Sequence, residues 1–284
     1  MPSVLKRILN KAGYTVASRK SSYPVDLRQV TKNPLEARYL AGRKSFLLDA
    51  DPALCRNLWW FPCQKGGNNP FIRTVEEYLE GTHKVYEGSS LHRFYESFQP
   101  GSVAEIFGFG ERVQHDLERM PAHALVFPWD RGSMERRLIF RIRFAQQENS
   151  SRGRTLGGEH GLIWLGPVSR EKGELEFNNL IALTGSIKGR GYKRSGDADG
   201  DITAFVLVRD ADFRYQIAIG NHRAAVLSAL GFNALTLRIE NRSITRFIYR
   251  QEAAYWPNVK SGLFTEQQAL TVFDTVFDGL AHNA

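Results

Sequence analysis

Residues 202–239 constrain this chain most. Residues 202–208 (Ile-Thr-Ala-Phe-Val-Leu-Val) and 214–219 are apolar runs of strand length, and Arg209-Asp210-Ala211-Asp212 turns the chain back between them. Gly220-Asn221-His222-Arg223 then leads into an alanine-rich helix over 224–230, closed by Gly231, and 234–239 reads as a third strand. Two strands, a helix and a strand in so short a span bury their apolar faces only by packing the helix on a sheet, so the pattern predicts an α/β arrangement.

The junction at Gly220 is also where chemistry is expected. Backbone N–H groups at a helix start lack intrahelical partners, and the helix dipole adds positive partial charge there. Such an end seats a phosphate. Glycine lets a ligand approach the backbone closely because it has no Cβ. Asn221 is a further donor or cap, and His222 and Arg223 bring cationic donors to the same spot.

Upstream, a helix is expected over 174–188, with Leu180, Leu183 and Ile187 at helical spacing. Its glutamates, Glu174 and Glu176, have two readings: first-turn charges that stabilise the helix start, or a base and metal-holding carboxylate at the site. Residues 162–165 read as a strand, and the polar, glycine-rich stretch 145–158 as a mobile loop or domain seam. Asp197, Asp199 and Asp201 alternate in a glycine-containing loop and read as solvated, with Mg²⁺ contact as the other reading. His160 reads as a structural side chain or as a group that reaches the phosphate seat. Lys260 and Arg250 are candidates for a basic pocket.

The first half is less regular. Residues 23–27 and 45–48 look extended, and 35–40 helical. Leu58-Trp59-Trp60-Phe61-Pro62 reads as core. Thr74 is expected to cap a helix with Glu77 completing a capping box; Ser89 or Ser90 caps another over 91–98; Ser102 and Glu105 start a third. Tyr86, Phe94, Tyr95 and Phe98 are either core or a stacking surface for a base. A final helix is expected over 266–280.

Lys and Arg number 38 against 30 Asp and Glu, a net charge of +8. That balance favours anionic partners, whether phosphorylated metabolites, nucleotides, nucleic acid or acidic lipid, without choosing among them. Cys55 and Cys63 are too few for a disulfide framework and lack zinc-site spacing. No run is long and apolar enough to span a membrane, and the start lacks the continuous apolar core of a signal peptide, so a cytoplasmic location is expected. The amphipathic stretch through Val4, Leu5, Ile8 and Leu9 either packs on the domain or attaches weakly to a membrane surface through Lys6, Arg7 and Lys11.

The order Leu180, Leu183, Ser186-Ile187, Gly189 and Gly191, the two strands, Gly220-Asn221-His222-Arg223 with Ala224-Ala225, and Leu230-Gly231 resembles the small fold shared by ParB-type partition proteins, sulfiredoxins and free serine kinases. The resemblance covers residues 171–240, about a quarter of the chain. It implies that Gly220, Asn221, His222 and Arg223, with Ser186, contact nucleotide phosphates, and that Glu176 or Glu174, with His222, is catalytic. It implies ATP or another nucleoside phosphate with Mg²⁺, and a small hydroxyl-bearing or sugar-like acceptor.

Departures bear on the reaction. Asn221 stands where sulfiredoxins carry their cysteine, His222-Arg223 replaces the two-arginine box of the partition proteins, and no helix-turn-helix follows. Segments at Tyr23, Tyr86, Tyr95 and Trp256 also resemble a bacterial protein group that implies no activity.

The expectation is therefore an α/β (α+β) protein, with a ParB/sulfiredoxin-like mixed sheet and helices after an irregular, mainly helical N-terminal part. Residues 1–150 would form a lid or substrate-recognition region, and 151–284 a nucleotide-binding domain with a C-terminal helix. The expected activity is ATP-dependent phosphoryl transfer. The alternatives are a non-catalytic nucleotide sensor, a DNA-associated ParB-like protein, or a structural partner in a surface-polysaccharide system.

Overall fold

The computed structural model describes residues 23–109, 115–131, 138–139, 142–143, 146, 156–162, 164–194, 200–240 and 246–279. The amphipathic start with Lys6, Arg7 and Lys11, most of 145–158, and Asp197 and Asp199 lie outside them.

Among the described residues, helices accompany a mixed sheet of seven strands: β1 Val25–Asp26, β2 Phe46–Ala50, β3 Cys55–Arg56, β4 Ile202–Arg209, β5 Asp212–Ile219, β6 Leu235–Ile239 and β7 Phe247–Tyr249. The expected α/β class holds. The hairpin β4–β5 is antiparallel with Arg209 opposite Asp212, and Asp210 takes the left-handed conformation at its tip (φ 55°). The spatial order is β1-β2-β6-β4-β5-β3, with β7 parallel to the far part of β4. Strands from both halves of the chain share this sheet, since β2 runs antiparallel to β6 and β3 runs parallel to β5. The division expected at residue 150 itself falls outside the described residues.

The helices used below are α1 Pro34–Ala41, α2 Pro70–Glu80, α3 Ser90–Ser97, α4 Val103–Ile106, α5 Arg170–Arg190, α6 Asn221–Ala229 and α7 Glu266–Asp278. Ser89 caps α3 and Ser102 caps α4, as their spacing to the following residues predicts. The start of α2 differs. Asn69 is the cap, accepting from Phe71 and Ile72 N–H, with Pro70 in the first turn. Thr74 is therefore interior, where its hydroxyl donates to Pro70 O and accepts from Leu91 N–H. Glu77 serves a neighbour rather than its own helix, accepting from Ser90 N, Ser90 Oγ and Arg93 Nη2 at 2.7–2.8 Å. Burial pushes its carboxyl up, but these Ser90 and Arg93 contacts outweigh that and hold it below the usual range.

Of the strand expected at 162–165, residue 163 lies outside the described residues, and the described ones form no strand. Leu162 and Leu165 face each other only in an isolated bridge, the run between Gly161 and Gly166 being too short for a ladder. The next helix starts earlier than expected. Ser169 accepts from Lys172 N–H, so α5 runs from Arg170 and its only first-turn acid is Glu171. Glu174 and Glu176 are thus interior to the helix, and the first-turn reading of both is corrected.

Aromatic packing fills the core. Trp59, Trp60, Phe61, Phe94 and Tyr95 are all buried, Trp60 stacks on Phe107, and Phe94 stacks on Phe98. The stacking-surface reading of Phe94, Tyr95 and Tyr86 gives way to the core one. Cys55 and Cys63 are both buried and free. On α7, Asp274 receives two bonds from Arg250 and one from Arg209, so Arg250 pins that helix rather than lining a basic pocket. Lys260 lies over the Tyr255 ring. No described helix is long and apolar enough to cross a membrane.

Candidate functional site

β5 ends at Ile219 and α6 begins at Asn221, with Gly220 between them at φ 87°. That angle favours glycine, and so does the space, since a Cβ would stand 3.1 Å from Ile202 Cγ1 and 3.2 Å from its Cα. Gly220, the N-cap of α6, has no side chain of its own to cap the helix. Asn221, expected to cap or to meet a ligand, is instead buried, and its Oδ1 accepts from Leu58 N–H at 3.2 Å. It ties the helix start to the aromatic core.

His222 and Arg223 diverge from that start. Arg223 Nη1 donates to Gly200 O, next to the beginning of β4. Close by, burial pushes the Tyr192 hydroxyl up while the Arg223 charge opposes that shift. Asp201 is buried rather than solvated, accepting from Arg194 Nε and Nη2 at 2.7 and 3.0 Å, with Arg238 Nη1 at 3.5 Å. The solvated-loop reading is corrected for this aspartate.

His222 points towards α5. Its ring stacks on Trp164 (centroids 5.5 Å apart, planes at 23°) and leans on Phe71 at 5.7 Å. Its Nε2 stands 3.5 Å from Glu176 Oε2, an oxygen with no closer hydrogen bond, and Glu176 Oε1 accepts from Lys172 Nζ at 2.5 Å. Lys172 is 0% and Glu176 1% exposed, whereas the His222 side chain is 21% exposed. The result is a short polar chain leading from the interior towards the surface. The lysine fixes the carboxylate, and the carboxylate's other oxygen faces the imidazole.

Not all expected residues join this group. Glu174, two residues from Glu176, faces outward to Arg170 Nε at 2.9 Å. Ser186 Oγ accepts from Arg190 Nη2 at 2.7 Å, and it lies roughly 15 Å along α5 from Glu176. His160 Nδ1 meets Ser169 Oγ at 2.9 Å at the start of α5, a structural position. The structure places His222 beside Glu176, keeps Arg223 beside Gly220 and Gly200 on the diverging side, and leaves Glu174, Ser186 and His160 apart. It adds Lys172, Trp164 and Phe71. Of these, only Lys172 left a trace in the sequence, through its spacing of four to Glu176.

No group of three or more His, Cys, Asp or Glu side chains among the described residues is placed to hold a metal. Asp201 faces Arg194 and Arg238, and Glu176 faces Lys172, so these carboxylates are each neutralised by a cation already present. The donors fit phosphate oxygens better than they fit Mg²⁺. The chain matches no protein-family model, no curated protein and no solved structure, so none of these comparisons identifies a ParB/sulfiredoxin-like fold.

Proposed function

We propose that the chain binds a nucleoside phosphate at the start of α6 and transfers a phosphoryl group from it, ATP being the expected donor, to a small hydroxyl-bearing acceptor. The observation that supports this reading most is the pairing of His222 with Glu176 beside a helix start with glycine at its N-cap that also carries Arg223. First-turn N–H groups and the guanidinium offset phosphate charge. His222, the exposed member of the chain, accepts the proton of the acceptor hydroxyl, and Glu176 stabilises the imidazolium that forms. Glu176 acts through His222 and is a positioning residue, because its burial keeps it from the acceptor. No step is assigned to Mg²⁺.

A second reading is favoured by one observation. The carboxylates tied to this region are both engaged by buried or half-buried cations, an arrangement that also suits a nucleotide sensor without turnover.

Titration with ATP, ADP, GTP and inorganic phosphate, each with and without Mg²⁺, followed by product analysis with a panel of alcohols and sugars, separates the two. Arg223→Ala is expected to weaken nucleotide binding by about 1.5–3 kcal/mol, the usual loss of a charge-assisted hydrogen bond, and Arg190→Ala to leave it unchanged. Wild-type affinity in a folded Arg223→Ala protein overturns the assignment. Nucleotide binding without any product selects the sensor.

A further inference from the structure

We propose that the face of the sheet carrying Arg246, Phe205 and Ile219 binds a small amphiphilic monocarboxylate, its charged end on Arg246 and its apolar body along Phe205 and Ile219. Strand register brings these residues together. Phe205 of β4 pairs with Gln216 of β5, and Thr203 pairs with Ile219 on one side and Arg238 of β6 on the other. Val206 pairs with Phe247, so Arg246 enters β7 beside Phe205. Alternate residues of a strand share a face, so Thr203, Phe205, Gln216, Ile219 and Arg238 point one way. The opposite face, with Ile202, Ala204, Val206, Tyr215 and Ile217, is buried in the core. The Arg246 face is more open, with Phe205 half-buried and Ile219 42% exposed.

The charge on this face calls for an anion. The Arg246 guanidinium lies 4.5 Å over the Phe205 ring, and no described residue gives it a hydrogen bond or an ion pair. The acids nearby are already matched. Asp201 faces Arg194 and Arg238, and Glu240 accepts from Arg238 Nε at 2.8 Å and Ser45 Oγ at 2.7 Å. Burial lowers the Arg246 pKa, and the Glu240 charge only partly opposes that. A half-buried cation without a counter-ion of its own is a cost that a bound anion removes.

The second observation comes from two neutral donors on the same face. Gln216 is 2% exposed and its Nε2 meets no acceptor; Thr203 is 4% exposed and its hydroxyl has no partner among the described residues. The face is thus rich in donors and short of acceptors. One uncompensated cation with neutral donors matches a single negative charge rather than a phosphate dianion. Ile219 stands two strand spacings across and two residues along from Arg246, roughly 12 Å, which a short alkyl chain or a phenyl ring on such a chain spans. The site is separate from the phosphate seat, because Ile202, the residue that crowds Gly220, points to the opposite face.

Ligand-observed NMR and calorimetry of the full chain with hexanoate, octanoate and phenylpropionate test it, with hexanol and inorganic phosphate as controls. At least one carboxylate is expected to bind saturably, hexanol to bind more than about tenfold more weakly, and phosphate not to compete. Arg246→Gln should weaken the carboxylate about tenfold or more, and so should Ile219→Asp, which sets a like charge at an exposed position. Arg223→Ala should leave it unchanged. Absence of saturable binding by all three carboxylates, hexanol binding within about tenfold of them, displacement by phosphate, or wild-type affinity in folded Arg246→Gln or Ile219→Asp overturns the proposal. Loss of carboxylate binding in Arg223→Ala overturns it as well, since that places the carboxylate in the phosphate seat.

Discussion

Replacing Lys172 by methionine is expected to destabilise the protein by about 3–5 kcal/mol, a large part of the stability of an ordinary domain. The side chain is wholly buried and its ammonium sits 2.5 Å from Glu176 Oε1. Methionine fills nearly the same volume, so packing survives. The loss is electrostatic, because a carboxylate is left in the interior without its cation. Replacing both residues, Lys172→Met with Glu176→Leu, removes the two charges together and should recover most of that loss. Denaturant unfolding of the wild type, both single variants and the double variant forms the cycle that measures it. A single Lys172→Met variant as stable as the wild type would show that the pair is not buried as described. Glu176→Gln is, for the same reason, a stability variant as well as a kinetic one, since it removes the carboxylate that Lys172 pairs with.

His222→Gln is expected to reduce phosphoryl transfer by roughly 10²–10⁴-fold while nucleotide affinity changes little. Glutamine is polar and fits between Trp164 and Phe71, but it does not accept the acceptor's proton. A loss confined to affinity would move His222 from proton transfer to phosphate contact. Single-turnover product formation alongside nucleotide titration distinguishes the two, because the first effect lies in the chemical step and the second in binding.

The residues that could be read in the sequence are those whose role is local. The hairpin β4–β5, helix α6 and strand β6 follow from apolar runs separated by Asp and Gly turns, and Gly220 follows from a strand that meets a helix without a linker. Ser89 and Ser102 were legible as caps because the contact lies within one turn. Thr74 was misread because a nearer signal, Asn69-Pro70, already starts that helix, and Ser169 sets α5 four residues ahead of its expected start. What was illegible depends on contacts between distant segments. Nothing near Lys172 says that a lysine will be wholly buried; α5 has to pack against other helices first. Trp164 and Phe71 reach His222 from different parts of the chain, and Asn221 reaches Leu58 across 163 residues. The strand-to-helix junction at Gly220 was therefore visible, while the Lys172–Glu176–His222 chain beside it was not.

The most direct test of the central claim is to follow backbone amide resonances while nucleotide is added. If phosphate seats at the start of α6, the largest ¹H–¹⁵N shifts should fall on Asn221, His222 and Arg223, and the same amides should respond to inorganic phosphate at higher concentration. Nucleotide binding with its largest shifts elsewhere, or no binding of any nucleotide, would contradict it.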